Sequence, residues 1–134
     1  MMPFRFTLIA ASALALLPLT TVADAKNRIA RNGAVVVING DSMRVFQKPF
    51  FGTDDYYCAA GDVARGLLRA RATDRIVVER VPAAGGYTFG FRVDRGAKPE
   101  PRPSGGIFPS KRKVGASRSV AASEHLCDNS PQFR

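Results

Sequence analysis

The sequence predicts a small α+β domain: an antiparallel sheet of about four to six strands, with one helix packed on it and one disulfide. Three observations predict it. Tyr87, Phe89, Phe91 and Val93 alternate with Thr88, Gly90 and Arg92, giving a strand with one aromatic face and one polar face. Between Asp55 and Arg69, the apolar residues Tyr57, Ala60, Ala64, Leu67 and Leu68 recur at spacings of three and four, which is one face of an α-helix. Two cysteines, Cys58 and Cys127, follow an export-type leader, so one intramolecular pairing is open to them. At 134 residues the chain has room for one domain, and 46% hydrophobic composition excludes a fully disordered chain.

Residues 1–25 have the pattern of a secretory signal peptide. Arg5 supplies the positive start, Leu8 to Leu17 the apolar centre, and Ala23-Asp24-Ala25 the small-x-small cleavage site, leaving Lys26 first. An uncleaved anchor is the rival reading. The uncharged run from Phe6 to Ala23 is interrupted by Pro18, Thr20 and Thr21, which makes it a poor membrane span. Cleavage removes one Arg and one Asp, so the mature chain keeps the net charge of +9 and has no transmembrane segment. The expected compartment is the periplasm or the exterior. A disulfide there would close a loop of about 70 residues, worth on the order of 4 kcal/mol in the chain-entropy model.

Lys26 to Gly33 is basic and unpatterned, an expected N-terminal arm before a single domain over 34–128. Ala34 to Ile38 is a β-branched strand candidate, and Asn39-Gly40-Asp41 a turn. Met43 to Phe46 is a second strand, joined to the first as a hairpin or through a bulge at Gly40. Thr53, Asp54 and Asp55 suit the start of a helix, where their side chains cap it and their charge meets its dipole. Gly61 and Gly66 lower helix propensity by roughly 1 kcal/mol each, and a glycine there permits close packing on a sheet. Asp74 to Val81 is a strand, Pro82 to Gly86 a turn, and the aromatic row closes the hairpin. Residues 94–106 form a Pro-rich loop. Ile107 to Val114 and Ser117 to Ala122 are weak strand candidates, and 129–134 is a tail.

The stretch Tyr57-Cys58-Ala59-Ala60-Gly61-Asp62-Val63-Ala64-Arg65 resembles an uncharacterised group of short exported (periplasmic) bacterial proteins. That group carries an aromatic-Cys-x-Ala-(Ala/Gly)-Asp-x-Ala-Arg helix, a following strand like DRIVVERV, an aromatic second strand and a late cysteine. Val63 stands where an aromatic is common, and this chain runs on past Cys127, where such proteins often stop. The resemblance implies export, a shared fold and a Cys58–Cys127 pairing. It implies no activity.

Catalytic motifs are nearly absent. The one histidine, His125, would have to serve any Ser-His-Asp arrangement, and no HExxH, GxSxG, phosphate loop or dinucleotide fingerprint occurs. Cys58 lies near a helix N-terminus, which favours a thiolate, but there is no Cys-x-x-Cys. His125, Cys127 and Asp128 match no metal-site spacing, so no metal and no cofactor are expected. Asp54, Asp55 and Asp62 divide between helix capping and pairing of Asp62 with Arg65 or Arg69.

Charge is more informative. Arg95, Lys98, Arg102, Lys111, Arg112, Lys113 and Arg118 face one acidic residue between 95 and 118. Such a segment attracts phosphate, anionic lipid, lipopolysaccharide or acidic polymer, and it is also what a solvated basic loop looks like. Only Phe108 offers a stacking platform within it, and export argues against a genomic partner, so no genomic nucleic acid is expected. The expectation is therefore a non-enzymatic binding or interaction protein of the cell envelope, with an anionic envelope component or a protein as partner. The alternatives are a thiol-redox or hydrolytic enzyme using Cys58 or His125, and an inhibitor or accessory subunit contacting its partner through a sheet edge or the Pro-rich loop.

Overall fold

A computed structural model describes residues 26–48, 51–84, 86, 88–96 and 111–128. The expected signal with Ala23 and Ala25, Tyr87, Lys98, Arg102, Phe108, most of the Pro-rich loop and the tail lie outside the described residues.

Strands β1 (Lys26–Ile29), β2 (Val35–Asn39), β3 (Ser42–Phe46), β4 (Arg75–Arg80), β5 (Thr88–Asp94) and β6 (Ser117–Ser119) form one antiparallel sheet in the order β1-β2-β3-β5-β4-β6. Helix α1 (Thr53–Gly66) packs on it, and a second helix, α2 (Val120–Asp128), packs against α1. β2 and β3 join as a hairpin with Asn39 opposite Ser42, and Gly40 takes φ +60° in the tight turn that right-handed strand twist favours.

Alternation sends one set of side chains to the helix side. Val36, Ile38, Met43, Val45, Ile76, Val78, Phe89, Phe91 and Val93 are all buried there. α1 answers with Tyr56, Tyr57, Ala60 and Ala64, also buried, while Leu67 and Leu68 are half-buried at its end. The rings interlock: Tyr57 and Phe91 centroids lie 5.2 Å apart, Tyr56 and Phe89 4.5 Å, and Phe89 and Phe91 5.7 Å. Each fully buried large apolar side chain contributes about 1.5–3 kcal/mol.

Several expectations are corrected. Lys26 to Ile29 is not an arm but the edge strand β1. All four residues are exposed, so no alternating pattern marked it. The helix expected on the sheet is α1; a second helix, α2, packs against it. Ser117 to Ala122 is a three-residue strand running into α2, and Lys111 to Val114 forms turns, with 107–110 outside the described residues. α1 is capped by Gly52, whose N–H donates to the Asp55 carboxylate at 2.8 Å, and not by Thr53. Asp62 accepts the backbone N–H of Arg31 at 2.8 Å, which pins the β1–β2 turn to the helix; it pairs with neither Arg65 nor Arg69.

Gly61 faces α2 and not the sheet. A Cβ there would lie 2.6 Å from Ser123 Cβ and 2.9 Å from the Glu124 backbone nitrogen, so only glycine lets the helices approach this closely. Gly66 has open space around it. Gly66→Ala should therefore raise stability by up to about 1 kcal/mol, the ordinary helix-propensity gain. Gly61→Ala should lower it by about 1–3 kcal/mol, the range for overpacking. Urea midpoints of the two variants check the opposite signs; a stabilised Gly61→Ala would mean the helices are not in contact there.

Asp74 ties three segments together. Its carboxylate accepts from Arg71 N at 2.8 Å and Gly96 N at 3.3 Å, and its carbonyl accepts from Val120 N at 2.8 Å. The Arg71 N–H bond is the main cause that holds the Asp74 pKa below the ordinary aspartate value. A lowered folded pKa gives stability that is present above the unfolded value and lost as pH falls through the folded one. Asp74→Asn should be less stable than wild type at neutral pH, and the gap should close on acidification below the aspartate range. A gap independent of pH, measured by denaturant midpoints from pH 7 to 3, would contradict this assignment.

Candidate functional site

The described part of the basic segment does not form one patch. Arg95 forks onto the Asp41 carboxylate at 3.0 and 3.1 Å and donates to Leu68 O at 2.8 Å, near the C-terminal end of α1. Asp41 is the main cause that raises the Arg95 pKa above its ordinary value. Arg118 pairs with Asp54 at 3.2 Å and lies 5.2 Å over the Tyr57 ring, at the helix's other end. Fourteen positions of α-helix separate those ends, about 21 Å. Lys111 Nζ donates to Ser117 O at 3.0 Å, while Lys111 O accepts from the Tyr57 hydroxyl at 2.9 Å. Arg112 sits 5.8 Å over the Phe89 ring. Residues 115 and 116 continue the pairing along β4, with Gly115 N donating to Val78 O and Val78 N to Ala116 O. Arg95, Lys111, Arg112 and Arg118 thus fasten the domain, and Lys113 is exposed on a turn.

The residues that would carry thiol or histidine chemistry are equally accounted for. Cys58 and Cys127 form a disulfide with Cα atoms 4.9 Å apart, 0% and 1% exposed, which welds α2 to α1. His125 is exposed, and its Nδ1 lies 3.6 Å from Asp128, whose other oxygen takes Arg31 at 2.7 Å. The helix motif as a whole is structural here. Tyr57 and Cys58 anchor neighbouring segments, Gly61 admits α2, Asp62 holds the β1–β2 turn, and Arg65 NH1 reaches Ala70 O at 3.5 Å.

A different site emerges on the outer face of the sheet, opposite the helices. Pairing aligns Val37, Arg44, Gly90 and Arg80 in one row across β2, β3, β5 and β4. The register shift between Val78 and Arg80 turns Arg80 onto this face, where its Cβ lies 3.0 Å from the position a Gly90 Cβ would occupy. Phe46 stands beside Thr88 in the next row, and the β4–β5 connection brings Val81 and Pro82 to the rim. Together they enclose an open concavity of about 760 Å³, within the size range of small-molecule sites. Arg44 and Arg80 line it, and Arg92 lies on the same sheet face opposite Ser42; all three are exposed and without an ion pair among the described residues. Glu79 is the acid lining the concavity, and the Ser42 hydroxyl sits 3.3 Å from its carboxylate.

Sequence reasoning missed this site because it searched for clustered charge along the chain. Arg44 and Arg80 are far apart in sequence and come to either side of Gly90 only through strand order. A signal was present: the polar side of the aromatic strand carries Gly90 and Arg92 in alternation with the core. No family model, curated protein or solved structure matches the chain. No helix among the described residues is long and apolar enough to cross a membrane.

Proposed function

We propose that the protein is a non-enzymatic binding protein of the cell envelope that takes anionic lipid on the outer face of its sheet. One observation carries the reading: Arg44 and Arg80, without an ion pair among the described residues, line a solvent-open concavity that also exposes Phe46. An arginine fork binds carboxylate or phosphate in bidentate fashion, and exposed apolar side chains beside it suit an amphiphile better than a free polyanion. The enzyme alternative would have to work through a buried disulfide or a lone exposed histidine. Export supports the reading through the signal-like leader and the disulfide together.

Sedimentation with vesicles tests it. The protein should pellet with anionic vesicles and not with neutral ones. Binding should fall steeply between low and physiological salt, where exposed charges are screened beyond about 8–10 Å. Equal binding to both vesicle types, or to neither, would overturn the reading.

A further inference from the structure

Resting on that reading, we propose that the ligand of the outer face is a single-chain anionic amphiphile, with its head group seated over Gly90 between Arg44 and Arg80 and its chain laid along Phe46 and Val81. The register makes the seat. Arg44 and Arg80 both pair with Gly90, from opposite sides. Neighbouring strands lie about 4.8 Å apart, so the two arginines start about 10 Å apart with a strand between them. That strand carries no side chain at the midpoint, because residue 90 is glycine. Gly90 itself is buried, with the Arg80 Cβ 3.0 Å from where a Cβ on Gly90 would lie, so guanidinium groups rising from either side of it can share one carboxylate or phosphate above it, each through charge-assisted N–H···O bonds.

Charge complementarity names the sign of the occupant. Two unpaired cations flank the seat, and the nearby carboxylate, Glu79, faces Ser42. The wall names the rest. Phe46, Val37 and Val81 form an apolar margin in contact with solvent, with Phe46 and Val81 38% and 37% exposed. Three side chains cover one alkyl chain, so a two-chain bilayer lipid would leave its second chain in the membrane. An inorganic anion would leave this margin wet, and a neutral amphiphile would leave the guanidinium groups without a partner.

The experiment uses the oxidised, exported protein and dodecyl phosphate below its micelle concentration, followed by backbone amide NMR. Saturable shifts should centre on Gly90, Arg44, Thr88 and Phe46. Inorganic phosphate and dodecyl maltoside should each bind at least tenfold more weakly. The double variant Arg44→Gln/Arg80→Gln, which changes only exposed side chains, should lose at least tenfold in affinity while keeping its remaining spectrum. Unchanged affinity in that variant, equal binding of the maltoside, or shifts centred on Lys111–Lys113 would overturn the proposal. Vesicle binding without binding of dodecyl phosphate would overturn the single-chain ligand and leave the anionic-lipid reading standing; absence of both would remove both.

Discussion

Phe91→Ala should destabilise the domain by about 3–5 kcal/mol, the range for deleting a fully buried phenylalanine. Phe91 is 0% exposed and stands at the crossing of the sheet and α1, against Tyr57 on one side and Phe89 on the other. Strands β3 and β4 both pair with β5 at this residue, Met43 and Val78 being its partners. The hole would therefore open in the middle of the core, where backbone held on both sides cannot close it. A domain of this size has total stability of about 5–15 kcal/mol, so the variant should lose a large share of it. Denaturant unfolding measures the loss. A cost below about 1 kcal/mol would mean that the aromatic row does not face the helix.

Removal of the disulfide should cost a similar amount, on the order of 4 kcal/mol for a loop of about 70 residues in the chain-entropy model. Its effect should be uneven. α2 has nine residues, too few to hold helical structure alone. It is otherwise held by Val120, buried beneath Asp74, and by the close Gly61–Ser123 contact. Reduction, or the Cys58→Ser/Cys127→Ser pair, should lower the urea midpoint and release amide protection in α2 before the sheet opens. Hydrogen exchange on reduced and oxidised protein separates the two effects. Loss of protection everywhere at once would show that α2 and the sheet unfold as one unit.

What could be read from the residues followed from which signals burial leaves in a sequence. β5 and α1 face a core on one side, so period two and period 3.6 stood out in their apolar residues, and the α+β class with them. The disulfide followed from two cysteines behind an export-type leader. β1 left no trace, because an edge strand exposed on both sides has no apolar alternation to show. α2 was hidden because its buried positions are Val120, Ser123 and Cys127. The spacing is helical, but a serine and a cysteine do not read as an apolar stripe. Ser119 is its cap, with Oγ accepting from Ala122 N at 3.1 Å, and that hydroxyl three residues ahead was the available cue. Charge along the chain misled most. Lys111, Arg112 and Arg118 looked like a free patch and instead hold carbonyls, rings and a carboxylate. Arg44, Arg80 and Arg92, which make no ion pair among the described residues, come from three separate strands.

On the proposed function the outer sheet face, and not the 111–113 cluster, meets the anionic partner. The direct measurement compares two variants in the same anionic-vesicle titration: Arg44→Gln/Arg80→Gln, and Lys111→Gln/Arg112→Gln/Lys113→Gln. Each cation near an anionic membrane is worth roughly 1 kcal/mol, about fivefold in affinity. The outer-face pair should weaken binding by about 25-fold on that basis, with the 111–113 triple losing less. The reverse order, with the triple variant abolishing binding and the outer-face pair leaving it intact, would contradict the account.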